Sequence, residues 1–227
     1  MIHLNVAPDT KRLTSPRAAA VAGILFGLLF GISLTLFRTS LPDGLSAGVD
    51  WMDKGAPRLR LALGLMPFAG ISFLWFVGVV RDRLGSFEDR FVATVFLGSS
   101  LLLLAMVFIA SAIAGALLAL NRPGSASGLD PAIANFGRAL MLQISNIYAL
   151  RMAGVSMISL ATIWLRTGSM PPAAGWVTYG LAGALLLVST LNLWITLVYP
   201  GWVLSISLLF LIRRSPVPRA GPDERTG

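Results

Sequence analysis

Long uninterrupted apolar runs alternate with short polar segments along this chain, and the run lengths predict membrane-crossing helices. "TSPRAAA" opens the first run. Ser15 can cap a helix there, and Pro16 suits the first turn, where its missing N–H has no helical partner anyway. The run ends at Phe37 and Arg38. It is too long for a signal-peptide core and no A-x-A site follows, so we expect a retained anchor over 16–38. Residues 39–56, with Pro42, Gly44, Gly48 and Gly55, read as a loop holding a short interfacial turn around Trp51. Pro57 is expected to open a second span over 57–84, kinked at Pro67. In "RDRLGSFEDRF", Gly85 can end that helix, and Ser86 with Asp89 resembles a capping box for a third span over 87–120.

"NRPGSASGLDP" reads as a loop, after which Asp130 caps a helix that Pro131 begins. The stretch 131–166 would measure roughly 54 Å against a hydrocarbon core of about 30 Å. Its first turns, "AIANFGRAL", are therefore expected to project beyond the bilayer or lie along it, with the spanning part over 143–165. After "GSMPPAAGW", 172–212 carries no charge. Two helices fit, 172–192 and 195–213, with a turn near Asn192 in preference to "YPG", because a last span beginning at Trp202 would be too short. The expected fold is an all-α polytopic bundle of about six spans in one domain, 16–213. It is flanked by a polar tail, 1–15, and an Arg- and Pro-rich disordered tail, 214–227.

Composition agrees with this pattern. The 227 residues are 56% hydrophobic and 12% charged, against about 25% charged in soluble domains. The mean hydropathy is +0.78. The net charge of +8 does not point to nucleic acid, because the basic residues sit at helix ends and in tails; it fits membrane topology and attraction to anionic lipid. With both termini inside, the cytoplasmic side collects eleven basic residues, including Lys11, Arg12, Arg81, Arg83, Arg90, Arg166, Arg213 and Arg214. The outer side collects six: Arg38, Lys54, Arg58, Arg60, Arg122 and Arg138. That asymmetry predicts both termini cytoplasmic, a parity that six spans satisfy.

Several chemistries are excluded. There is no cysteine, and the single histidine, His3, lies in the N-terminal tail, so Cys-metal sites, thiolate nucleophiles and His-based triads are out. All ten carboxylates lie outside the apolar runs, which removes the usual coupling group of proton- and sodium-driven transporters. Asp82, Glu88 and Asp89 stand among arginines and read as a salt-bridged loop. No metal or cofactor is expected.

One charge interrupts the pattern. Arg151 lies inside the fourth span, roughly 9 Å below its outer edge, with Tyr148 and Thr162 on its face. Two readings fit. Arg151 snorkels outward or pairs with a carboxylate such as Asp50, Asp53 or Asp130. Alternatively, it forms a cationic outer-side site for an anion or anionic lipid headgroup, with Tyr148, Asn146 and Gln143 adding polarity. Small residues form a second pattern. Gly23, Gly27 and Gly31 make two overlapping G-x-x-x-G steps, which suit tight helix packing within the chain or in a homo- or hetero-oligomer through the first span. Gly98, Ala105, Ala112 and Ala119 recur every seven residues, and we expect them to pack in the core.

"PFAGISFLWFVGVVRDRLG" (67–85), "EDRFVATVFLGSS" (88–100) and "NIYALRMAGVSMISLATIWLRTG" (146–168) resemble a group of uncharacterised bacterial multi-pass membrane proteins, common in actinobacteria. The resemblance covers most of 17–212 and implies a bacterial plasma-membrane protein with about six helices; it implies no activity. The expected function is a non-enzymatic membrane protein that is transporter-like or binds lipid or an anion at Arg151. The alternative is a structural or accessory subunit that packs through Gly23, Gly27 and Gly31. A membrane-embedded enzyme is the third reading, disfavoured because the spans hold no nucleophile–base or metal-ligand set.

Overall fold

The computed structural model describes residues 16–41, 50–84, 90–121, 129–168, 170–187 and 193–212. Every regular element among them is helical: α1 Pro16–Ser40, α2 Asp50–Leu84, α3 Arg90–Leu120, α4 Pro131–Gln143, a π segment Ile144–Ala149, α5 Leu150–Thr167, α6 Pro172–Leu187, a 3₁₀ segment Leu193–Leu197 and α7 Val198–Ile212. α4, the π segment and α5 form one continuous rod, as do the 3₁₀ segment and α7, so six rods result. Five are long and apolar enough to cross a membrane; Pro172–Leu187 is shorter. All-helical structure is what hydrocarbon demands, because each backbone group must find its hydrogen bond within the segment.

Successive rods pack antiparallel. Phe26 of α1 stacks on Phe73 of α2 with ring centroids 4.5 Å apart, and Gly55 meets Ser40 near the other end of the pair. Between α2 and α3, Gly70 abuts Phe108 and Gly115 faces Leu63. Gly137 of α4 abuts Leu117 of α3. Gly154 and Gly175 bring α5 and α6 together, the first against Ala182 and Leu186, the second against Leu165. α7 closes the bundle on α1, where Gly23 meets Ser207 and Gly27 meets Leu204 and the Pro200 carbonyl oxygen. These registers put the start of α1 and the finish of α7 at one end of the bundle, here the Pro16 end; α1 finishes at the other, the Ser40 end.

The core is aromatic and aliphatic, centred on Phe26, Phe73, Phe76, Met157, Leu160, Tyr199 and Trp202. Three polar ties cross it. Ser156 Oγ donates to Tyr199 OH at 3.3 Å, Trp202 Nε1 donates to Thr178 Oγ1 at 3.0 Å, and the hydroxyls of Thr162 and Tyr179 share a 2.6 Å hydrogen bond. Each satisfies polar groups that hydrocarbon could not. Large apolar side chains face outward instead, among them Phe68, Trp75, Phe91 and Phe136. Such a surface suits lipid rather than water.

Several boundaries follow the expected chemistry. Asp130 caps α4, accepting a hydrogen bond from the Ala132 N–H at 2.8 Å, with Pro131 in the first turn. Gly168 ends α5 in the left-handed conformation, φ 63°, which glycine adopts without steric cost. Other boundaries differ. α2 begins at Asp50 and runs through both Pro57 and Pro67, so the expected turn at Trp51 is its first turn; a polar sequence does not stop a helix whose end stands beyond hydrocarbon. "AIANFGRAL" does not lie flat: it continues the rod of α5, and Gly137 seats it against the last turns of α3. The expected capping box at Ser86–Asp89, the turn near Asn192, residues 42–49 of the expected loop and both tails lie outside the described residues.

Candidate functional site: a cleft beside the π segment

Toward the Ser40 end, α3 and the π segment pack together but α1 does not close on either. Between them lies a partly open cleft with a cavity volume of about 70 Å³. Leu34 and Phe37 of α1 with Leu41 just beyond it, Met66 of α2, Val107 and Ala110 of α3, and Met141 and Leu142 of α4 give it an apolar lining. Polar groups enter from four directions: Arg38 in the last turn of α1, Ser111 on α3, Ser145 and Asn146 on the π segment, and Thr196 on the 3₁₀ segment. A second cavity of about 30 Å³ shares Leu34, Val107, Ser145 and Thr196 with the first and continues inward to Tyr199. A water needs about 10–15 Å³ by this measure, so the space admits several waters or a length of alkyl chain.

The π segment produces this arrangement. A π turn inserts extra backbone into the rod and shifts the phase of the residues that follow, and such turns recur at functional sites. Here Ser145 and Asn146 face the cleft and Ala149 and Leu150 the deeper cavity, while Tyr148 and Arg151 face outward. Ser145 Oγ donates to the Met141 carbonyl at 2.8 Å, a local bond that keeps the hydroxyl beside the widened turn. Arg38, half-buried at the rim, and Thr196 both hold further polar or ring interactions.

The expected site residues are not brought together. Asn146 lines the cleft, but Gln143, Tyr148 and Arg151 are exposed on other faces of the rod. Arg151 makes no hydrogen bond or ion pair with another described residue, and the carboxylate of Asp130 is engaged in capping α4. The packing expectation for α3 is corrected. Gly98, Ala105, Ala112 and Ala119 all face outward, and a Cβ at Gly98 would meet nothing within 4 Å. α1 divides: Gly23 and Gly27 are filled by α7 and α2, while Gly31 faces open space. Sequence reasoning also missed Arg138. It is only 4% exposed and holds a polar or ring interaction, buried where α4 packs on α3. Its one readable signal was position: Arg138 follows Gly137, the residue of closest approach to Leu117.

Comparison with family models, with curated proteins and with solved structures finds no match to this chain. Among the described residues, no three His, Cys, Asp or Glu side chains gather as a metal site would require.

Proposed function

We propose that this is an integral protein of the bacterial plasma membrane, both termini cytoplasmic, that binds an amphiphile in the cleft between α1, α3 and the π segment. The orientation rests on the excess of basic residues at the Pro16 end, and the compartment on the resemblance drawn from the sequence. One observation carries the binding reading: the cleft combines an apolar lining with polar groups from four elements, Arg38 and Asn146 among them. Such a site suits a molecule with an alkyl chain and an anionic or hydrogen-bonding head, the chain directed inward toward Tyr199. The cationic group of the cleft is thus Arg38; Arg151 lies outside it. No reacting group is assigned, and the reading is a lipid-binding or lipid-handling protein rather than an enzyme.

Thermal unfolding in a non-ionic detergent tests this with lysophosphatidylglycerol as the probe. The unchanged protein should be stabilised by the probe. Ala110→Phe, which fills the cleft, should abolish the shift, and Arg38→Gln should weaken it. Equal stabilisation of all three would refute the cleft.

Association with another membrane protein is the second reading, and one observation favours it. The small residues on α3 are exposed rather than used within the chain, which offers a partner helix close approach. A cysteine at Ala112 in this naturally cysteine-free chain should then crosslink in membranes; a crosslink-free monomer discards the idea.

A further inference from the structure

The bundle is not equally thick all round. On α5, Arg166 and Arg151 are both exposed, and the fifteen positions separating them rise roughly 22 Å. The neighbouring α6 runs alongside it: Gly154 packs on the Ala182 carbonyl oxygen and Leu186, so Leu187 of α6 stands about level with Arg151. Aromatic residues repeat the same spacing. Trp176 and Tyr148 are 67% and 52% exposed, and the contact of Gly175 with Leu165 sets them about 25 Å apart along the bundle. Trp and Tyr mark the two interfaces of a membrane. α3, which packs on a different side of α5 from α6, carries no charged residue from Phe91 to Leu120, an apolar length of about 45 Å.

We propose that the α5–α6 surface is a thin hydrophobic face at which the bilayer leaflet of the Ser40 end is drawn down, and that Arg151, beside Tyr148, holds the phosphate of an anionic phospholipid there. A hydrophobic length shorter than the bilayer thins the lipid around it. An exposed guanidinium at that depth draws headgroups and water toward itself, and a lipid phosphate complements it with charge-assisted hydrogen bonds. The proposal requires that the bundle sits in a membrane but does not depend on the cleft. It explains why the charge is retained on a surface where its side chain makes no hydrogen bond or ion pair with another described residue.

The chain has no cysteine, so single spin labels can measure depth directly. Ala184 is exposed on α6, about level with Gly154. Ala105 is exposed on α3, between Leu103 and Val107, which line the same cavity as Leu150 and Ala153. The two positions therefore stand at similar heights on different helices, both facing outward. In phosphatidylcholine vesicles containing phosphatidylglycerol, a label at Ala184→Cys should be reached readily by a water-soluble nickel chelate, and one at Ala105→Cys by oxygen in preference. Arg151→Leu should reduce nickel access at Ala184→Cys and leave Ala105→Cys unchanged. It should also lower phosphatidylglycerol retained in native mass spectra by about threefold or more, with Arg151→Lys retaining most of it. Equal depth at the two positions overturns the proposal even if the Arg151 variants fail to fold. Poor access of both reagents at Ala184→Cys overturns it as well, showing a protein partner on this face. Loss of lysolipid stabilisation in the Ala110→Phe variant concerns the cleft alone and moves neither label.

Discussion

Gly27 and Gly31 stand one helical turn apart in α1 and meet opposite surroundings. A Cβ on Gly27 would press on Leu204 and reach within 3.0 Å of the Pro200 carbonyl oxygen, whereas one on Gly31 would meet nothing within 4 Å. Gly27→Val should therefore cost about 1–3 kcal/mol through overpacking. Gly31→Ala should change stability by no more than about 0.5 kcal/mol. Denaturant titration in micelles separates the two, and equal effects would contradict the α1–α7 register. Asp130 permits a second test. Its carboxylate satisfies one free N–H at the start of α4, so Asp130→Ala should lose about 1 kcal/mol. Hydrogen exchange should speed up at Ala132 and Ile133 and nowhere in α5. That cap was legible in "GLDP", because a short acidic side chain before proline has a strong local preference. The division among the glycines was not, because a G-x-x-x-G step states that a backbone can be approached without stating by what.

Among elements, α6 is the least self-sufficient. It is held to α5 by glycine contacts and the Thr162–Tyr179 hydrogen bond, and to α7 by Trp202 and Thr178. Intramembrane hydrogen bonds average about 0.6 kcal/mol and reach about 1.7. Trp202→Phe and Thr178→Val should each cost that order, and the double variant should cost less than their sum, because both remove one bond. Additive losses would show that the bond contributes nothing measurable. The α4–π–α5 rod shows a different limit of sequence reading. Its length, its capped start and its glycine stop all follow from composition, yet the π segment inside it does not. Nothing in "ISNIYA" announces an extra backbone unit.

Taken whole, the described residues form six antiparallel rods, with the first and the last of them starting and finishing at the same end. Affinity tags fused at Met1 and Gly227 should accordingly be digested by protease from one side of a sealed vesicle and protected from the other. Cleavage of one tag from each side would remove the bundle's parity. The apolar runs determined this much by themselves: hydrocarbon accepts only backbone whose hydrogen bonds are internal, so run length dictates helices and caps mark their ends. Which face of each rod turns inward was left open by the same physics. In water a buried face is apolar and an exposed face polar, but next to lipid both are apolar, and the alternation that orients a soluble helix fades. Hence the small residues of α3, expected inside, lie outside, and the cleft assembled from Arg38, Ser111, Asn146 and Thr196 could not be read from any one segment. Only the packing of distant helices, through their glycines and three polar ties, decided where the cavity opens and on which surface Arg151 stands.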